Sequence, residues 1–462
     1  MAKRDNIYFV GIGGIGMSAI ARHYKLLGKN VCGYDKTNSR LIEEMASEGI
    51  ATTFIDNVDE IPAEFKNSEN TTVVYTPAIP NDNKILSYFR NNGFDVVKRA
   101  VMLGDLTKEH DAICISGSHG KTTTSTLVAH IMKNSSLGCS AFLGGISSNY
   151  DTNYWSNTKS DFVVTEADEY DRSFLQLHPF LTLITAMDAD HLDIYGTKEE
   201  MRKAFHQFAS QTTCGGSVIY KYGLDFDDSV IDEDVEIFTY SLSNSKADFF
   251  ASNIAINSDG LYTFTVSTPM GQIRDLTLGL PGLHNVENAV AAVALANLAG
   301  AEDDEIRDAL ISFKGNRRRF DFHIRTKELA LIDDYAHHPE EIRTMLTSVK
   351  SMYPQRKVTV AFQPHLYTRT RDFADEFASA LSLADRVVLL DIYPAREKPI
   401  EGVNSEMLAS KITTDVTLTT KENLIKDITS QPMDIVVIMG AGDIDRLVAP
   451  LKEEMLAMLE RK

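Results

Sequence analysis

The stretch CISGSHGKTTTSTLVAHIM, residues 114–132, decides how this chain is read. The apolar run 113–115 predicts a strand, and Gly117 and Gly120 a turn. Lys121 and Thr122 then open a helix that carries Leu127, Val128 and Ile131. Strand, glycine turn, Lys-Thr and helix are the parts of a loop that holds a nucleoside triphosphate. The usual spacing, G-x-x-x-x-G-K-[ST], puts four residues between the glycines. Here only Ser118 and His119 separate them. The stretch therefore reads as a shortened phosphate loop formed by Gly117, Ser118, His119, Gly120, Lys121, Thr122 and Thr123. Lys121 would reach the β/γ oxygens and Thr122 would turn its hydroxyl to Mg²⁺. The plain alternative, a helix start with an incidental lysine, does not require Gly-Lys-Thr at a strand–helix junction.

A second glycine loop lies near the N-terminus. In GIGGIG, Gly11, Gly13 and Gly16 form G-x-G-x-x-G after a strand at 7–10 and before a helix at 17–27, which Gly28 ends. Such glycines let the chain turn tightly and bring a diphosphate onto a helix N-terminus, where unpaired N–H groups favour anions. Asp35 ends the next strand, where an acid can accept from ribose hydroxyls. NAD is the default ligand, but a UDP-sugar meets the same physics.

Acidic residues follow two further strands: Glu166, Asp168 and Asp171, then Asp188, Asp190, His191 and Asp193. Ligands of an α/β sheet gather outside the carboxyl ends of its strands. Acids placed there beside a phosphate loop are candidates for Mg²⁺, although acidic loops are more often simply solvated. A dehydrogenase would use only the first loop, and a nucleotide-switch protein only the second. A ligase that consumes ATP and acts on a nucleotide-linked acid uses both.

The 462 residues, of which 43% are hydrophobic and 24% charged, suit a globular protein of about three domains. The βαβ rhythm predicts an α/β fold in three parts. Residues 1–104 form a Rossmann-like parallel sheet. Residues 105–315 form a central phosphate-loop α/β domain with a small antiparallel patch, signalled by the period-two run between about 235 and 280. Residues 316–462 form a second Rossmann-like domain, after the basic connector FKGNRRRF at 313–320. A net charge of −19 argues against nucleic acid and anionic membranes as partners. The four cysteines, Cys32, Cys114, Cys139 and Cys214, form no C-x-x-C pair and read as reduced thiols. With no signal peptide and no membrane-length apolar run, the expected location is cytoplasmic.

Beyond these local readings the chain resembles the Mur ligase family. The likeness runs in order through GIGGIGMSAIA, GSHGKTTT, EADEYDRSF, DADHLDIYG, GLHNVENAVAA, RRRFDFH, DDYAHHPEEI, FQPHLYTRTRDF and GAGDID. The shortened loop is the form this family uses. The resemblance implies an ATP-dependent ligase that joins L-alanine to the lactyl carboxylate of UDP-N-acetylmuramate through an acyl phosphate, in peptidoglycan-precursor synthesis. A family variant would attach murein tripeptide instead. The resemblance also implies two Mg²⁺ ions, and a monomer or homodimer. Carried onto this sequence, it assigns Gly11, Gly13, Gly14, Gly16 and Met17 to the UDP-substrate. Thr122 goes to one Mg²⁺; Glu166 and His191 go to the other. His284, Asn285, Asn288, Arg318, Arg319 and Asp334 go to the nucleotide. Lys121 goes to the transferred phosphate, and His337 and Arg369 to the incoming amino acid. The pattern departs at one position. Relatives often carry arginine after the histidine of FQPH, and here it is Leu366. Arg369 or Arg371 is then left to hold the alanine carboxylate.

Overall fold

The structure is a computed structural model that describes residues 4–188, 192–258, 260–395 and 397–460. Its strands form three sheets. The first contains β1 (Asn6–Val10), β2 (Asn30–Tyr34), β3 (Ala51–Thr53), β4 (Thr71–Tyr75) and β5 (Asp95–Lys98), in the order β3-β2-β1-β4-β5. Every neighbouring pair is parallel. β1 is buried throughout, as expected of a central strand covered on both faces by helices. The helices that matter here are α1 (Ile15–Leu26), α2 (Arg40–Ser47), α3 (Lys84–Asn91), α4 (Arg99–Glu109) and α5 (Lys121–Asn134). Gly28, at φ +79°, takes the left-handed position that lets the chain leave α1.

The second sheet contains β6 (Asp111–Ser116), β7 (Ser140–Ser147), β8 (Thr152–Trp155), β9 (Phe162–Glu166) and β10 (Leu181–Ile184). It continues with β11 (Ser217–Lys221), β12 (Glu236–Ser241), β13 (Phe249–Ile256), β14 (Tyr262–Thr268) and β15 (Gly271–Thr277). The order is β15-β14-β13-β12-β11-β10-β6-β9-β7-β8. The expected small antiparallel patch is present and lies at one edge of the central sheet. β12 pairs in parallel with β11 and β13, and β14 pairs antiparallel with β15. The antiparallel β7–β8 hairpin at the other edge was not read from the sequence. The third sheet contains β16 (Asp321–Arg325), β17 (Ala330–Asp334), β18 (Val358–Phe362), β19 (Arg386–Leu389), β20 (Asp415–Leu418) and β21 (Ile435–Met439). Its order is β16-β17-β21-β18-β19-β20, and only β16 runs antiparallel to its neighbour.

The chain forms two compact units. The first comprises Met1–Ala255, Thr263–Leu278 and Glu287–Phe313, and so holds the first sheet and most of the second. A continuous apolar core explains why these parts cluster together. Met17, Ile20 and Tyr24 of α1 belong to the same buried cluster as Phe142 and Tyr154 of the hairpin and Phe205 and Phe208 further on. The expected boundary at 104/105 falls inside α4, where Gly104 has no room for a Cβ: one would lie 2.2 Å from the carbonyl oxygen of Gln176. The second unit comprises Ile256–Tyr262, Gly279–Val286 and Lys314–Lys462. Its core gathers Leu331, Val388, Val436 and Ile438 from the strands and Leu451 and Met455 from the last helix. No helix among the described residues is long and apolar enough to cross a membrane.

Candidate active site

Helices α1 and α5 begin after glycine turns, and neither has a side-chain cap. Gly14 precedes α1, and Gly120, at φ +82°, precedes α5. By contrast α2 and α3 are capped by the side chains of Ser39 and Asn83. A helix start without a side-chain cap is a place where backbone N–H groups can receive an anion.

At the first loop the N–H groups of Gly11 and Ile12 donate to the carbonyl of Tyr34, at 2.7 and 3.0 Å. Asp35 braces the turn. Its Oδ2 accepts from Gly13 N–H at 2.8 Å and its Oδ1 from Thr37 N–H at 3.1 Å. The acid expected to face ribose is thus already engaged by the backbone of the loop. Met17 is buried in the first turns of α1. Gly16 faces a residue that sequence reading missed: a Cβ there would lie 2.7 Å from the Arg99 guanidinium. Arg99 opens α4 directly after β5, which supplies a cation beside the diphosphate loop. A basic residue at a strand's carboxyl end was the available signal.

The second loop is tightly built. Gly117, at φ +128°, stands where a Cβ would lie 2.2 Å from Thr185 Oγ1, so only glycine fits. Thr185 Oγ1 donates to the carbonyl of Ser116 at 3.1 Å and of His119 at 2.5 Å. Ser118 Oγ donates to the carbonyl of Asp188 at 3.1 Å. Asn288 lies close as well, its Oδ1 2.9 Å from a Cβ placed on Gly120. Thr123 lies in the first turn of α5. Lys121 Nζ donates to the carbonyl of Gly117 at 2.7 Å and to Glu169 Oε1 at 2.8 Å. Glu169 is fully buried, and its carbonyl accepts from the Tyr195 hydroxyl at 2.6 Å. Burial disfavours the charge on Lys121, but Glu169, Glu166 and Asp168 together hold its pKa above the ordinary value. Glu169 was missed because it stands in the run EADEYD among other acids. Only its burial distinguishes it.

Glu166 ends β9, and its Oε2 accepts from Thr122 Oγ1 at 2.9 Å. Burial raises its pKa, and Lys121 offsets part of the rise. Gly144 on β7 makes room for this carboxylate, since a Cβ there would lie 2.1 Å from Glu166 Oε2. Two oxygen donors thus converge at the head of α5, a donor set that suits Mg²⁺, which takes the rest of its shell from phosphate and water. Among the described residues no group of three or more His, Cys, Asp or Glu could hold a metal. His191, expected as a metal ligand, lies outside the described residues, as does Asp190.

The second unit carries the remaining candidates, several of them after the carboxyl ends of β17 and β18. Asp334 Oδ2 accepts from Phe320 N–H and its Oδ1 from Ala336 N–H, both at 2.8 Å. Arg318, at φ +59°, donates to the carbonyl of Gly440 at 2.5 Å and pairs with Asp445 at 3.4 Å. Arg318 and Arg319 both stack on the Tyr335 ring, at 5.0 and 5.2 Å. His338 caps the helix Pro339–Met352 reciprocally with Glu341. His337 is turned differently. Its Nδ1 lies 2.9 Å from the carbonyl of Tyr335, which can only accept, so Nδ1 carries the proton and Nε2 is the basic nitrogen of the neutral ring. Burial lowers its pKa and Arg369 adds to the effect, against the pull of Glu341. Arg369 has a buried Nη1 without a hydrogen-bond partner, whereas Arg371 is half-exposed and paired with Asp372 at 2.7 Å. Leu366 sits at φ +71° before the short helix Tyr367–Asp372. His284 Nδ1 lies 3.3 Å from Ser348 Oγ, and burial lowers its pKa to about 4. Asn285 Nδ2 donates to the carbonyl of Pro281 at 2.6 Å.

Three family profiles match in register with these sheets. They are the catalytic domain of the Mur ligase family over residues 6–111, the Mur ligase middle domain over 115–296, and the glutamate ligase domain over 318–442. A UDP-N-acetylmuramate–L-alanine ligase of Porphyromonas gingivalis is 49% identical over 97% of this chain and 98% of its own length. One of Parabacteroides distasonis is 49% identical over 99% of both. The crystal structure of the UDP-N-acetylmuramate–alanine ligase of Thermotoga maritima superimposes with a TM-score of 0.83 at 28% identity, covering 98% of this chain and 99% of that one. A murein peptide ligase of Psychrobacter arcticus shares the fold, with a TM-score of 0.70 at 21% identity over 97% of this chain and 98% of that one. The chain belongs to the Mur ligase family.

Proposed function

We propose that this enzyme joins L-alanine to the lactyl carboxylate of UDP-N-acetylmuramate with cleavage of ATP to ADP and phosphate, in the synthesis of peptidoglycan precursors in the cytoplasm. One observation carries the reading. A single unit presents two uncapped helices under glycine turns, one of diphosphate type and one of triphosphate type. A dehydrogenase or a nucleotide switch leaves one of them unused. The names of the relatives support the same substrates. In this reading residues 1–104 hold the UDP-substrate, 105–315 hold ATP, and 316–462 contribute to the amino acid and the nucleotide.

A carboxylate is a poor electrophile, because its leaving group would be oxide. Transfer of the γ-phosphoryl group to a carboxylate oxygen gives an acyl phosphate. The alanine amine then attacks its carbonyl, and the tetrahedral adduct expels phosphate to leave an amide. Lys121, held between Gly117 and Glu169, stabilises charge on the moving phosphoryl group. Thr122 would hold one Mg²⁺, and Glu166 with His191 the other. Bound there, Mg²⁺ supplies the positive charge that lets a phosphate and a carboxylate approach. His337 Nε2, neutral at physiological pH, takes the proton of the amine. The buried Nη1 edge of Arg369 receives the alanine carboxylate. Arg318, Arg319, Asp334, His284, Asn285 and Asn288 serve the nucleotide.

Phosphate release tests the reading. With UDP-N-acetylmuramate, ATP and Mg²⁺ present, release should require L-alanine. Release with murein tripeptide and not with L-alanine would move the enzyme to the recycling reaction, and release with neither would overturn the ligase assignment.

A further inference from the structure

We propose that Asn153 is a positioning residue that sets the span between the diphosphate loop and the triphosphate loop. The proposal rests on the substrate reading above.

Asn153 lies on β8 and is fully buried. Its amide is spent entirely on α1. Nδ2 donates to the carbonyl of Ile15 at 2.6 Å and to Ser18 Oγ at 3.1 Å, and Oδ1 accepts from Arg22 Nη1 at 3.0 Å. Arg22 is itself almost buried and held by Glu48 at 2.8 Å and Glu44 at 3.4 Å. One residue along, the Tyr154 hydroxyl meets His23 Nδ1 at 3.0 Å. A buried amide that merely joined α1 to the hairpin could bond anywhere along the helix. This one grips Ile15, the first helical residue after Gly14, in the first turn of the helix that follows the diphosphate loop.

The hairpin's other strand reaches the second site. Gly144 on β7 lies against Glu166, which in turn accepts from Thr122 at the head of α5. One hairpin therefore touches the diphosphate helix on one strand and the phosphoryl-transfer site on the other. The lactyl carboxylate is covalently attached to the diphosphate seated on α1, so its reach to the γ-phosphate is fixed by the distance between these two sites. An error of about 1 Å in such a distance costs about a hundredfold in rate without weakening either ligand's binding.

The test uses the full chain with Asn153→Ala and, in case that variant does not fold, Ser18→Ala, which removes one of the three contacts. Binding of UDP-N-acetylmuramate alone and of ADP alone is measured by calorimetry. Acyl-phosphate formation at saturation is then followed in a single turnover by trapping with hydroxylamine. Both Kd values should stay within about threefold, while trapping slows by about tenfold to a hundredfold in Asn153→Ala and by about threefold in Ser18→Ala. A trapping rate that is unchanged, or that falls only alongside weakened binding of either ligand, would overturn the role. If wild-type protein forms no trapped product, the substrate reading fails and this role falls with it, an outcome told apart because it does not depend on the variants.

Discussion

Replacing Arg369 with alanine should raise the KM for L-alanine far more than the KM for ATP. Alanine is small, and its carboxylate is the largest handle an enzyme can grip. The Nη1 of Arg369 is buried without a hydrogen-bond partner, and the guanidinium is close enough to His337 to lower its pKa. Arg371, the other candidate, is exposed and paired with Asp372. A charge-assisted hydrogen bond contributes roughly 1.5–3 kcal/mol, and each 1.4 kcal/mol is about a factor of ten. Losing one such bond should reduce kcat/KM for alanine by about tenfold to a few hundredfold. The assay varies alanine at saturating ATP and UDP-N-acetylmuramate, with Arg371→Ala as control, expected to stay within about twofold because exposed pairs contribute little. An unchanged alanine KM in Arg369→Ala, together with a raised one in Arg371→Ala, would refute the assignment and move the pocket to the opposite side of the short helix.

Lys121→Ala should leave UDP-substrate binding intact and slow phosphoryl transfer by on the order of 10²–10³; turnover above about a tenth of wild type would contradict its role. Glu166→Gln should raise the Mg²⁺ concentration needed for half-maximal turnover, because it removes a ligand charge while keeping the hydrogen bond from Thr122 geometrically possible; an unchanged Mg²⁺ titration would count against the metal site. Asp333, buried on β17, has its pKa raised to about 7 by burial, against the opposing charges of Arg318 and His323. Between the unfolded value near about 4 and the folded value the native state binds the extra proton, so this group's contribution to stability is lost as pH rises through that window. Urea unfolding should therefore show stability falling from pH 5 to pH 8 by on the order of a few kcal/mol, and Asp333→Asn should flatten the slope; an equal slope in the variant would refute the attribution.

The parallel sheets were legible because their strands are short apolar runs with glycine turns at the carboxyl ends, as at Val10–Gly11 and Ser116–Gly117. The edges were harder to read. The period-two alternation of β14 and β15 marked an antiparallel patch, but their attachment to the central sheet through β12 and β13 is a pairing no local pattern encodes. The hairpin β7–β8 was not seen, since its strand β7 contains the pair Gly145 and Gly144, which reads as a turn. Gly144 is there because Glu166 needs the space. Motif spacing marked Lys121, Thr122 and Glu166. It could not mark Glu169 or Arg99, whose importance comes from burial beside Lys121 and from proximity to Gly16, contacts between segments far apart in the chain. Nor could it choose between Arg369 and Arg371, which differ only in exposure and in the partner each has found.

The most direct measurement follows oxygen. UDP-N-acetylmuramate labelled with ¹⁸O in the lactyl carboxylate is incubated with ATP, Mg²⁺, L-alanine and the enzyme, and the released phosphate is analysed by mass spectrometry. If the γ-phosphoryl group passes to the carboxylate, the oxygen that bridges carbon and phosphorus leaves with phosphate, and the phosphate carries the label. Unlabelled phosphate, with one carboxylate oxygen kept in the amide and the other released as water, would contradict an acyl-phosphate route and with it the account given for Lys121 and Glu166.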